Sequence, residues 1–161
     1  MDMHKVPGQW SDGAEPPAAE HGVVRLPDGR QIRGASLKRS RTLDPPDFGV
    51  YLLSRDPQFS DREYQWVHWR DFSTPASTDC AVAALREAYL RAKFQRVEVS
   101  CRGGVGRTGT ALAVLAVLGG VLPADAVTWV RENYHPKAVE TFGQRRWLKR
   151  LLPGLAEQAG C

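Results

Sequence analysis

One stretch constrains the fold of this chain more than any other. It reads Val97-Glu98-Val99-Ser100-Cys101-Arg102-Gly103-Gly104-Val105-Gly106-Arg107-Thr108-Gly109 and runs straight into the apolar segment Ala111 to Leu118. Val97 to Ser100 reads as a short strand, and residues 103, 104, 106 and 109 are glycine. Thr108 to Leu118 is apolar nearly all round, as a helix covered on every side would be. A strand, a glycine-rich turn and a buried helix in succession need a sheet to hold the strand and further layers to cover the helix.

The turn also carries chemistry. A strand-to-helix loop rich in glycine can aim several backbone N–H groups at one point beside a helix N-terminus, which makes an anion site. Glycine allows the positive φ angles that such a curl requires. A cysteine at its start lies under positive potential, and helix N-termini and cations lower a thiol pKa from about 8.5 toward roughly 3.5–7.5. Arg107, six positions after Cys101, can grip two anion oxygens with its planar fork. Nucleophile, cradle and clamp together describe thiolate attack on phosphorus.

Two other motifs overlap this loop. Gly104-Val-Gly106-Arg-Thr-Gly109 fits G-x-G-x-x-G, but the helix runs into Gly119-Gly120 and Pro123 with no second strand ending in an acid. A nucleotide P-loop needs glycine where Cys101 stands and lysine where Arg107 stands.

The remaining chain supplies layers for this unit. Residues 1–21 mix Pro, Gly, Asp and Glu without periodicity and are expected to form a mobile tail, leaving 22–161 as a single domain. Val23 to Leu26 and Gln31 to Arg33 flank Pro27-Asp28-Gly29 as a hairpin. Arg39 to Asp47 is polar and broken by prolines, so a loop is expected there. Gly49 to Leu53 and Gln65 to Trp69 read as strands. A helix capped at Ser77, Thr78 or Asp79 places Val82, Leu85, Tyr89 and Ala92 on one face, and puts Cys80 in the core. His68, between Trp66 and Trp69, is expected to be packed. Pro123 opens a third helix carrying Val127 and Val130. The last starts near Thr141, with Trp147, Leu148, Leu151 and Leu152 inward and Arg145, Arg146, Lys149 and Arg150 outward. The predicted fold is α/β: a mostly parallel central sheet flanked by helices on both faces.

Charge and cysteines narrow the setting. With 22 basic and 18 acidic side chains the net charge is +4, too mild and scattered for a nucleic-acid stripe. It suits a solvated surface or a field that draws anions. No apolar stretch is long enough for a membrane span, and the N-terminus lacks a signal-peptide core. Cys80, Cys101 and Cys161 make neither a disulfide framework nor a zinc pattern, which fits a reducing, cytoplasmic compartment.

Cys101 to Gly109 resembles the Cys-x5-Arg-Ser/Thr signature of the protein-tyrosine-phosphatase superfamily, including its G-x-G-R-T-G ending. Trp69-Arg70-Asp71-Phe72-Ser73-Thr74-Pro75 is similar to that family's mobile Trp-Pro-Asp loop. Val139-Glu140-Thr141-Phe142-Gly143-Gln144 looks like its water-positioning loop. The three elements stand in the family's order and cover residues 49–152. The resemblance implies Cys101 as nucleophile, Arg107 as clamp and Asp71 as general acid, with Arg102, Gly103, Gly104, Val105, Gly106 and Arg107 holding the phosphate. Thr108 would bond the thiolate or cap the helix. Gln144, with Glu140 beside it, would position water or serve only a Thr141-x-x-Gln144 capping box. Two departures stand out: Ser100 replaces the family's histidine, and Arg70 its proline.

The implied reaction is metal- and cofactor-free hydrolysis of a phosphate monoester through a cysteinyl-phosphate, by a monomer. Phosphotyrosine in a protein is the leading substrate. A dual-specificity or phosphoinositide phosphatase is the alternative, because Arg102 lies inside the loop and no long insertion deepens the pocket. A silent phospho-residue binding module would have lost Cys101, Asp71 or Arg107, and all three are present.

Overall fold

The computed structural model describes residues 8–10 and 22–159. Five strands form one sheet: β1 (Val23–Arg25), β2 (Gln31–Ser36), β3 (Phe48–Leu53), β4 (Glu63–His68) and β5 (Val97–Cys101). Their spatial order is β1-β2-β5-β3-β4, with β1 antiparallel to β2 and every other pair parallel. The expected hairpin is present, with Val24 opposite Ile32 and Gly29 at φ +95° in its turn. β3 and β5 are buried at every residue, as central strands covered on both faces must be, whereas β4 at the edge is largely exposed.

Among the described residues five helices cover the sheet: α1 (Leu37–Thr42), α2 (Thr78–Arg91), α3 (Gly106–Leu118), α4 (Ala126–Asn133) and α5 (Phe142–Ala159). A 3₁₀ turn, Pro123–Asp125, leads into α4, so Pro123 opens a tighter turn rather than the α-helix itself. All thirteen residues of α3 are buried, and it starts two residues before Thr108. Alternation along β5 separates two faces. Val97, Val99 and Cys101 join the core with Ala111 and Leu115, while Glu98 points to the side carrying α1, where the Ser40 hydroxyl donates to its carboxylate.

Three expectations need correcting. Leu37–Thr42 is helical rather than loop, because the Ser36 side chain caps it by accepting from Arg39 N–H at 3.2 Å. Cys80 is exposed: α2 buries Ala81, Ala84, Leu85 and Ala88, a face rotated away from it. His68 is also exposed, its ring 5.7 Å from that of Trp66. Of the expected tail, residues 8–10 are described. Trp10 donates its indole N–H to the Val97 carbonyl at 3.0 Å, and its ring lies under the Arg33 guanidinium. The rest of residues 1–21 lies outside the described residues.

Candidate active site

Parallel pairing sets Ser36, the last residue of β2, beside Cys101, the last of β5. The chain then turns through residues 102–105 into α3, at the C-terminal edge of the sheet. Gly104 makes this turn possible. Its φ is +73°, and a Cβ there would meet the Ser36 nitrogen at 2.5 Å. Gly109 is required for a different reason: a Cβ on it would sit 2.5 Å from that of Ala138.

The Cys101 sulfur, on a residue only 2% exposed, accepts two hydrogen bonds. One comes from Gly104 N–H at 3.2 Å and the other from the Thr108 hydroxyl at 3.0 Å. The sulfur is thus held by two donors, one from the backbone and one from a side chain. Thr108 thus bonds the sulfur, while the side chain of Thr110 satisfies the Gly106 carbonyl one turn back.

Arg107 is buried in the same loop. Its Nη1 donates to the Trp69 carbonyl at 2.9 Å, its Nη2 lies 3.5 Å from Asp71 Oδ1, and its Nε has no protein partner among the described residues. A buried guanidinium N–H without an acceptor is costly unless an anion satisfies it. Asp71 projects over the loop with its side chain 54% exposed, and Phe72 N–H donates to its carboxylate. Trp69, fully buried, fixes the start of the segment carrying Asp71, and its indole N–H donates to the Ser73 carbonyl at 2.6 Å.

Structure brings together Cys101, Gly104, Arg107, Thr108 and Asp71. Gly106 is buried against the Glu140 side chain, whereas Arg102 and Gly103 are exposed at the rim and Val105 is half-buried. Ser100 is buried, and its hydroxyl donates to the Cys101 carbonyl at 3.4 Å. Arg70 is exposed, its carbonyl taking the Ser73 hydroxyl. Gln144 is buried and engaged: its Oε1 accepts from the N–H groups of Glu140 and Thr141, and its own N–H donates to Thr141 Oγ1. The capping box is therefore formed.

Sequence reasoning missed Tyr134, whose hydroxyl donates to the Gly104 carbonyl from the end of α4. Burial, and next the charge of Cys101, push this phenol well above its ordinary value. Only the juxtaposition of α4 with the loop reveals it. Among the described residues no cluster of three or more His, Cys, Asp or Glu could hold a metal ion, and no helix is long and apolar enough to cross a membrane.

This geometry has relatives. Over 87 residues the chain is 39% identical to an uncharacterized protein of Methanocaldococcus jannaschii, MJ0215, covering 54% of each. It spans about half the length of the curated relatives it matches. The crystal structure of Tk-PTP in its active form superposes with a TM-score of 0.62 at 27% identity, covering 84% of this chain and 97% of that one. That of DUSP15 gives a TM-score of 0.65 at 15% identity, covering 87% and 96%, a likeness of fold alone. Residues 70–158, more than half of the chain, match the family described as the Swiss Army Knife protein DSP-PTPase phosphatase domain, and the chain belongs to that family, a small dual-specificity-like branch of the protein-tyrosine-phosphatase superfamily.

Proposed function

We propose that this phosphatase hydrolyses phosphotyrosine in proteins through a cysteinyl-phosphate at Cys101. The observation that carries the mechanism is the Cys101 sulfur, held by Gly104 N–H and Thr108 Oγ1 within a loop that also buries an incompletely partnered Arg107 guanidinium. A phosphoryl group over the sulfur would take backbone N–H groups of residues 102–106 and the fork of Arg107. The thiolate forms the P–S bond as the P–O bond to the leaving group breaks, and Asp71 gives that oxygen its proton. Water then attacks phosphorus, Asp71 takes a proton from it, and the P–S bond breaks. The Thr108 hydroxyl, 3.0 Å from sulfur, stabilises the departing thiolate.

Free thiols at Cys80 and Cys101 support a reducing, cytoplasmic setting. Cys101→Ser should abolish turnover but keep phosphate or vanadate binding, because the backbone cradle survives. Arg107→Lys should weaken both binding and rate, since an ammonium cannot replace the two-pronged fork. A panel of phosphotyrosine, phosphoserine and phosphothreonine peptides with inositol phosphates tests the substrate, and preference for any arm but phosphotyrosine overturns that part. Hydrolysis by Cys101→Ser above trace level rules out the covalent route.

A further inference from the structure

Helix α5 presents a cationic surface of its own, beyond the catalytic loop. Arg145, Arg146, Lys149 and Arg150 are all exposed on it and, with Phe142, line one groove. Their spacing of i, i+1, i+4 and i+5 gathers them on one side of the helix, opposite the buried Leu148, Leu152 and Leu155. No acidic residue lies between Thr141 and Ala156, and none of the four cations has an ion-pair partner among the described residues. Four like charges within about 8 Å of helix rise repel one another, so the isolated stripe is unfavourable and an anion relieves it.

The stripe starts at the rim of the catalytic loop. Gln144, one residue before Arg145, donates its amide N–H to Ser73 in the acid segment, and the Glu140 side chain rests against Gly106. A chain bound at Cys101 can therefore continue over Phe142 and along α5. Phe142, 70% exposed, adds an apolar contact at that first step.

We propose that this face docks an acidic segment of the phosphoprotein substrate, an Asp/Glu run within a few residues of the phosphorylated side chain. The inference rests on the phosphoprotein reading above. Charge complementarity demands an anion, and the helix geometry favours a peptide over a lipid surface. An interfacial helix binds membrane by burying a broad apolar face, but that face of α5 is already used in the core, leaving Phe142 alone outside. The cations also run along the helix axis in two adjacent rows, which an extended peptide can follow. About three residues at roughly 3.3 Å each would match the stripe.

The test compares two phosphotyrosine peptides, one flanked by four Asp/Glu residues and one by Ser/Gly, with the acidic run placed on either side. Wild-type protein should show kcat/KM about 10-fold higher for an acidic peptide at low salt, a preference that fades at about 0.5 M salt as screening shortens its reach. In the double variant Arg146→Glu with Lys149→Glu the preference should vanish, while para-nitrophenyl phosphate turnover stays unchanged. Loss of para-nitrophenyl phosphate turnover in wild type would instead sink the phosphatase reading. Fluorescence anisotropy of both peptides on the Cys101→Ser protein then still decides whether α5 selects acidic chains. Equal kcat/KM for the two peptides overturns the proposal, as does a preference that survives charge reversal. Co-sedimentation with 4:1 phosphatidylcholine–phosphatidylserine vesicles without peptide preference would assign the face to lipid.

Discussion

The side-chain amide of Gln144 donates to the carbonyl oxygen of Ser73 at 3.2 Å, and that oxygen also accepts the Trp69 indole N–H. The first turn of α5 and the segment carrying Asp71 are thereby one hydrogen-bonded unit. Trp147 reinforces it, its ring 5.6 Å from that of Trp69. Because Gln144 spends its carbonyl on two backbone N–H groups and one amide hydrogen on Ser73, its geometry is that of a strut between the cap and the segment carrying Asp71.

Gln144→Ala should therefore destabilise the fold by the worth of a cap, about 0.5–2 kcal/mol, or roughly 2–4 °C in Tm per kcal/mol. It should also slow the phosphorylation step, because the acid segment loses a tether. Rapid-quench traces should show no burst of leaving group. A burst followed by a slow steady state would mean that hydrolysis of the intermediate had slowed, and would make Gln144 a water-positioning residue.

Asp71→Asn keeps the hydrogen bond from Phe72 N–H but removes the transferable proton. The expected loss in kcat is on the order of 10²–10⁴ for phosphotyrosine peptides, and much smaller for para-nitrophenyl phosphate, whose leaving group is a weak base. An equal loss for both substrates would assign Asp71 to holding Arg107 instead.

Much of this was legible because single segments carried it. The Cys101 loop is legible in one 13-residue stretch: glycines allow the curl, and Cys and Arg sit at its ends. Groups assembled from distant segments were not. Tyr134 reaches Gly104 across thirty residues through one hydroxyl. Glu98, inside the motif stretch, gives no sign of being wholly buried among Arg33, Ser40, Tyr51 and Arg62, each from a different segment of the chain. On α2, Leu85 and Ala92 are buried and Val82 and Tyr89 pack against the core as expected, but Cys80 reads as part of that face because the rest of it is alanines, at 81, 84 and 88. These pack close without the bulky periodicity that marks a helix face. Helix α1 has six residues and forms where Ser36 caps it, below the length at which local pattern decides.

Tyr134→Phe tests the brace on the loop. Removing the hydroxyl frees the Gly104 carbonyl, and with it the backbone that aims Gly104 N–H at the Cys101 sulfur. Ser100 offers no substitute, since its hydroxyl makes a long bond to the Cys101 carbonyl instead. Cys101 alkylation by iodoacetamide at fixed pH should slow, and kcat/KM and phosphate affinity should fall by up to about 10-fold, the upper scale of one lost neutral hydrogen bond. A lower Tm with an unchanged alkylation rate would leave Tyr134 a packing residue.

The last prediction concerns alkaline stability. Burial, and then the negative charge of Glu98, push the Tyr51 phenol well above its ordinary 10, and Tyr134 is raised in the same direction. Both are neutral acids that the fold keeps protonated. Above pH 10 the unfolded chain releases these protons while the folded one retains them, so the unfolded state binds fewer and stability falls as pH rises. The contribution is intact below pH 10 and should decline above it by up to about 1.4 kcal/mol per pH unit for each phenol. Tyr89, raised to about 12 by burial and by Asp28, is half-open to water and adds less. Urea melts between about pH 8 and pH 11 measure the slope. Tyr51→Phe should cost stability at neutral pH, because Glu98 loses a donor and Arg62 loses an acceptor. Above pH 10 the same variant should fall less steeply than wild type. Parallel slopes for the two proteins would show that Tyr51 ionises as readily in the fold as outside it.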